Sequence, residues 1–155
     1  MKMLMFVLGT LLSLQVSAAD PHWLKGVTSE RHSIQVWRSE SCGCCKAWID
    51  HLKAHQFDVV DTVVSDLNAI KDQYAIAPNA RSCHTAKVGD LLVEGHVPAQ
   101  DIKRALAGDT PELLTVPGMP SGGPGMDSPG ARRDAFTVFA VDQGQVSEFA
   151  RHENY

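Results

Sequence analysis

Ile34-Gln35-Val36-Trp37-Arg38-Ser39-Glu40-Ser41-Cys42-Gly43-Cys44-Cys45-Lys46-Ala47-Trp48-Ile49-Asp50-His51-Leu52 is the stretch that decides the fold. Ile34 to Trp37 reads as a short buried strand. Residues 45, 48, 49 and 52 are apolar at helical spacing. Three of the chain's four cysteines therefore fall on a strand-to-helix turn, with Cys44 or Cys45 opening the helix. Backbone N–H groups and the positive end of the helix dipole favour thiolate over thiol there. Thiolate is the form that redox chemistry and soft-metal binding both use.

Downstream of that helix, which runs to about His55, Phe57 to Val64 is rich in β-branched residues and reads as a strand. Ser65-Asp66 caps a helix from Leu67 to about Tyr74. Pro78-Asn79 breaks the chain before Cys83. His84–Val88 and Leu91–Glu94, joined by Gly89-Asp90, read as a hairpin. Val97-Pro98 opens a helix carrying Ile102, Ala105 and Leu106 and ending at Gly108. Residues 117–130 are too rich in Gly, Pro and Ser for regular structure. Phe136–Val141 and Gln145–Phe149, turning at Asp142-Gln143-Gly144, form a last hairpin.

Upstream, residues 1–19 read as an export signal. Lys2 precedes an apolar segment, Met3 to Leu14, too short to span a bilayer comfortably, and Ser17-Ala18-Ala19 offers a small-residue cleavage site. The mature protein is then a single domain over residues 20–155, beginning at Asp20 or one residue earlier. Its expected place is the periplasm of a Gram-negative bacterium. Removing Lys2 takes the formal charge from −4 to about −5, which argues against nucleic acid or an anionic membrane surface as partner. No later segment is apolar enough to cross a membrane. An amino-terminal X-X-His copper chelate at Asp20-Pro21-His22 is excluded, because Pro21 lacks the N–H such a chelate deprotonates.

The order strand, cysteine turn, helix, strand, helix, hairpin, helix is that of a thioredoxin-like α/β core, a mixed sheet with flanking helices. The terminal hairpin is an addition that extends the sheet edge. Thioredoxins carry a cis-proline before the third strand. Here Ser82-Cys83 stands in that place, so such a core would set the fourth cysteine facing the other three.

Four motifs in order resemble one family: Val36-Trp37 leading into Cys42-Gly43-Cys44-Cys45-Lys46-Ala47-Trp48; Cys83-His84-Thr85-Ala86; Val93-Glu94-Gly95-His96-Val97-Pro98-Ala99; and Val116-Pro117-Gly118-Met119-Pro120. They are similar to the bacterial exported metal-binding family that includes the CopG-type copper-resistance proteins, over roughly residues 34 to 127. The resemblance implies a thioredoxin-like fold and the handling of periplasmic copper. It also implies Cys42, Cys44, Cys45 and Cys83 as copper ligands, for one or more ions.

A C-x-C-C turn with a facing cysteine suits Cu(I), a soft ion that favours thiolate. Cys42 and Cys45 also meet the spacing of a zinc knuckle, and the cluster could equally exchange disulfides; both alternatives stay open. Haem attachment does not, since Lys46 stands where C-x-x-C-H requires histidine. Met119 and Met126 are the methionines left after signal removal, both in the Gly/Pro loop, and their thioethers are soft donors; Met119 is the stronger candidate. His96, at the turn before the last helix, is a further candidate ligand. His84 should point away from Cys83 if the two are strand neighbours. His51 and His55, four apart, read as exposed side chains rather than as a metal pair, and Lys46 as a solvated residue. Trp37 and Trp48 flank the turn as its apolar shell. Nothing in the sequence proves catalysis, and onward passage of copper or electrons to other periplasmic copper-handling proteins is left open.

Overall fold

The computed structural model describes residues 20–153 and 155; the proposed signal at 1–19 lies outside the described residues. Parallel pairing sets the frame. Strand β1 (His32–Arg38) lies beside β2 (Phe57–Val63) with Ile34 opposite Val59, and helix α1 (Gly43–Ala54) makes the crossover that parallel strands require. On its other edge β1 pairs antiparallel with β3 (His84–Val88), which turns at Gly89-Asp90 into β4 (Leu91–Glu94). Helix α3 (Ala99–Leu106) then leads to β5 (Leu113–Thr115), parallel to β4, and the hairpin β6 (Phe136–Asp142) and β7 (Gln145–His152) completes the sheet. The order is β2-β1-β3-β4-β5-β6-β7.

Alternation divides the sheet's residues between two faces. Ile34, Val36, Ala86, Val93, Leu114 and Val138 face a core completed by Trp48, Ile49 and Leu52 of α1 and Ile102 of α3, with Trp23 beside them. The opposite face receives helix α2 (Leu67–Gln73), whose start is capped by Asp66 accepting the Ala69 N–H at 3.1 Å. A smaller cluster, Ile76, Ala80 and Leu113, packs there against Tyr74, Leu92 and Val141.

Most expected elements stand within a residue or two of their sequence-based bounds. Two differences bear on the site. Helix α1 begins at Gly43, with Cys42 in the capping position, so all three clustered cysteines belong to the first turn or its cap. Strand β5 has no counterpart in the sequence reading, yet it is what bonds the terminal hairpin to the rest of the sheet. Strand β3 begins at His84 as expected, and Cys83 precedes it in a bend.

Candidate metal centre

Four sulfur atoms converge at the amino end of α1. The Sγ atoms of Cys42, Cys44, Cys45 and Cys83 all lie within 4.8 Å of one another, although Cys83 is 38 residues beyond Cys45. Cys42 and Cys45 are joined by a disulfide with their Cα atoms 5.3 Å apart, while Cys44 and Cys83 are free thiols. Cys44 Sγ stands 3.6 Å from Cys42 Sγ, and Cys45 Sγ is 3.6 Å from the Cys83 carbonyl oxygen. Cys45 is fully buried and its three companions are half-buried, so the cluster opens on one side to solvent.

A second group shares Cys83. Its Sγ lies 3.2 Å from His84 Nδ1 and 3.1 Å from His96 Nε2, both rings being fully buried. This corrects the expectation for His84. Strand alternation would turn the two side chains apart, but Cys83 sits in a bend one residue short of β3, where alternation does not apply. His96 is aimed by its far nitrogen: Nδ1 donates to the Pro124 carbonyl at 2.9 Å, which leaves the Nε2 lone pair facing the sulfur. Burial pushes the Cys83 thiol up to about 12, and the neighbouring Cys44 adds to the effect, while the Ser82 hydroxyl opposes it. At neutral pH Cys83 is therefore a thiol, placed to donate its proton to an imidazole nitrogen.

The segment carrying Cys83 is held from below by groups that sequence reasoning did not single out. Glu94, fully buried on β4, accepts the Ser82 N–H at 2.6 Å and the Thr85 hydroxyl at 2.7 Å. Its charge is met by Lys71 of α2, which also donates to the Thr85 hydroxyl at 3.0 Å. Gly95 completes the arrangement. Its φ is +74°, and a Cβ there would fall 2.5 Å from the Val116 carbonyl and 2.6 Å from Ser82 Oγ, so only glycine lets β4 turn past Ser82 to deliver His96.

Above the site lies the Gly/Pro loop. Gly125 has φ +84°, and a Cβ on it would meet the backbone of Trp48 and Cys44 at 2.7–2.8 Å. The loop thus rests directly on the first turn of α1, with Met126 half-buried beside that contact. Met119 is 56% exposed and lines a surface depression with Phe136, Phe139 and Arg151, whose walls contain none of the four cysteines. Trp48 is buried, donates its indole N–H to the Val97 carbonyl at 2.8 Å and packs on His84 with ring centroids 4.2 Å apart. Trp37 does not share that role: it lies on the opposite face of the sheet, against Tyr74. Lys46 is exposed, as expected.

His51 and His55 are buried, contrary to expectation. Pro98, at the cap of α3, offers no side-chain acceptor, and His51 Nε2 supplies one, accepting the Ala99 N–H at 2.9 Å. His55 donates to the Trp23 carbonyl at 2.6 Å. Burial, with His55 and His96 nearby, holds His51 down to about 3 against an ordinary 6.5. The unfolded chain takes up this proton below about 6.5 and the folded one does not, so stability is lost as the pH falls from 6.5 towards 3. The metal-free protein should therefore melt at lower temperature at pH 5 than at pH 7. His51→Gln, which can still accept from Ala99, should show a shallower dependence; an unchanged one would contradict this account of the ring.

The donor set is chemically uniform. Among the described residues, both groups contain only cysteine sulfur and neutral imidazole nitrogen, without a carboxylate, and reduction of the Cys42–Cys45 bridge makes every sulfur a thiol. Burial keeps His84 and His96 below their ordinary pKa and so in the neutral form that can donate a lone pair. Such donors fit a soft or borderline ion and do not fit calcium or magnesium.

Residues 80–126, which carry Cys83, His84, His96 and the loop, match a family described as "Protein of unknown function, DUF411". No curated protein matches the chain. Two solved structures do. Copper resistance protein CopG in its form 2 is 42% identical, with a TM-score of 0.76, covering 80% of this chain and 100% of its own. Form 1 is likewise 42% identical, with a TM-score of 0.74, covering 79% of this chain and 98% of its own. With 42% identity over 80% of this chain and the whole of the solved one, the chain belongs to the CopG copper-resistance family.

Proposed function

We propose that this chain is an exported, periplasmic protein of copper resistance that holds one or more Cu(I) ions through Cys42, Cys44, Cys45 and Cys83. The observation that carries the reading is the convergence of four sulfur atoms within 4.8 Å from two distant parts of the chain. His96, with its lone pair fixed towards Cys83, is a further donor, and His84 stands beside it. Met119 and Met126 are soft donors on the covering loop; Ser82 donates to the Gly118 carbonyl at 2.5 Å and so ties that loop next to Cys83. The thioredoxin-like reading of the core is supported by the order β2-β1-β3-β4, by the parallel β1–β2 pair, and by the cysteines at the β1–α1 turn. Residues 1–19 act as the export signal, and no helix among the described residues is long and apolar enough to cross a membrane. Other periplasmic copper-handling proteins are the expected exchange partners.

The Cys42–Cys45 disulfide favours a second reading, a thiol–disulfide oxidoreductase. The two readings differ in what reduction does. For a copper protein, reducing the bridge frees two ligands, so the reduced protein should compete anaerobically with a chromophoric chelator for Cu(I) and the oxidised one should lose at least about 10–100-fold in affinity, the range that weaker changes around a metal already reach. Met119→Leu/Met126→Leu should fold normally and bind more weakly if the thioethers contribute. Equal copper binding by the oxidised and reduced proteins would remove the four-sulfur reading.

A further inference from the structure

The first described residue reaches across the molecule. Asp20 N lies 2.9 Å from Asp127 Oδ2, a contact spanning 107 residues of sequence. Asp127 also accepts the Gly125 N–H at 3.0 Å through its other oxygen, and so shapes the turn that rests on Cys44 and Trp48. One residue earlier, the Pro124 carbonyl fixes His96. The Asp20 carboxylate accepts the His22 N–H at 2.9 Å and pairs with the Arg133 guanidinium. Three residues on, the Trp23 indole donates to the Gly122 carbonyl at 2.8 Å. The amino-terminal segment is therefore laced to the loop that covers the cysteines.

We propose that the α-amino group of Asp20, released when the export signal is cut away between Ala19 and Asp20, is a structural cation that pairs with Asp127 and anchors this loop over the metal centre. The inference rests on the export reading above. Hydrolysis adds water across the Ala19–Asp20 peptide bond, giving a carboxylate on Ala19 and an ammonium on Asp20. Before the cut, the nitrogen is a neutral amide with one N–H. Afterwards it is an amine with an ordinary pKa of about 7.7–8.0, hence largely protonated at neutral pH and carrying three donors. The contact with Asp127, an amide N–H on a carboxylate before the cut, becomes an ion pair in which donor and acceptor carry opposite charges. Charge balance in the corner argues the same way. Two carboxylates, Asp20 and Asp127, share with Arg133 a surface depression of about 420 Å³, and an ammonium there supplies a second cation. Signal removal thereby does more than release the protein: it completes the clamp on the loop that aims His96 and covers Cys44.

Hydrogen exchange on the metal-free 20–155 protein tests the pairing without reference to copper. Four versions are compared: one beginning at Asp20, one keeping Ala18-Ala19 ahead of it, one acetylated on the Asp20 nitrogen, and Asp127→Asn beginning at Asp20. Amides of residues 122–131 should exchange about two- to fivefold faster in the last three than in the first, the scale of a partly exposed ion pair. Core amides of β1 should not change. A fifth version, Asp127→Asn with the two-residue extension, should exchange no faster than Asp127→Asn alone, because both changes remove one interaction. Acetylation keeps every side chain, so it decides the matter if the Asp127 variant folds poorly: equal exchange with free and acetylated Asp20 overturns the proposal. The intact mass of the periplasmic protein separates this from the export reading. A chain beginning at Asp20 supports both; one beginning elsewhere overturns the processing step even where the exchange result stands.

Discussion

Lys71→Met should destabilise the protein by about 3–5 kcal/mol, the range for stripping one partner from a buried ion pair. Methionine keeps most of the lysine stem and removes the cation. Glu94, fully buried, then loses its cation, and among the described residues the Ser82 N–H and Thr85 hydroxyl remain to stabilise it. The double variant Lys71→Met/Glu94→Gln should recover part of the loss. A neutral amide needs no counter-charge, and its oxygen can still accept from Ser82. Urea denaturation at constant slope measures both, and a loss below about 1 kcal/mol for the single variant would mean that the pair is not buried as described. The consequence for the site is indirect but specific. Glu94 holds the backbone at Ser82, one residue before Cys83, so the single variant should also weaken Cu(I) binding under conditions where it remains folded.

Cys83→Ser is expected to have the largest effect on copper. The change replaces a soft sulfur with a hard, neutral hydroxyl of nearly the same size, and it leaves the three cysteines of the α1 turn untouched. Cys83 belongs to both donor groups, so its loss also removes the cysteine sulfur grouped with His84 and His96. Changes around a metal that spare its ligands cost about 10–100-fold in affinity, so losing a ligand should cost at least that. The half-buried Cys83 side chain bears no charge in the metal-free protein, since desolvation pushes its thiol up to about 12, and the variant should therefore keep the parent's thermal stability closely. In the oxidoreductase reading Cys83 is dispensable, because exchange runs through Cys42 and Cys45. A variant that folds, retains disulfide exchange and binds Cu(I) as tightly as the parent would favour that reading.

Local signals were enough for much of this fold. The 45, 48, 49, 52 spacing yields α1, the Gly89-Asp90 turn yields the β3–β4 hairpin, and Asp66 marks the start of α2. Strand β5 escaped because its three residues, among the five between Pro111 and Pro117, carry too short a pattern to read. The orientation of His84 depended on a one-residue boundary: whether Cys83 is in the strand or just before it decides which way both side chains turn. Burial of His51 and His55 depends on Trp23 and the start of α3, which are distant in sequence and cover the helix flank only once folded. The Lys71–Glu94 pair is of the same kind. A lysine on a short helix and a glutamate ending an apolar strand carry no local signal that pairs them, and only tertiary structure joins them. The cysteine turn was legible because chemistry there is crowded into four consecutive positions, whereas its supports are spread over the whole chain.

The central claim is that reduced protein holds Cu(I) in a sulfur site shared by the α1 turn and Cys83. X-ray absorption at the copper edge, on reduced protein loaded anaerobically, tests it most directly. The account predicts a Cu(I) edge and a first shell dominated by sulfur, with loading abolished when all four thiols are alkylated beforehand. A first shell of nitrogen and oxygen, or full loading after alkylation, would contradict it.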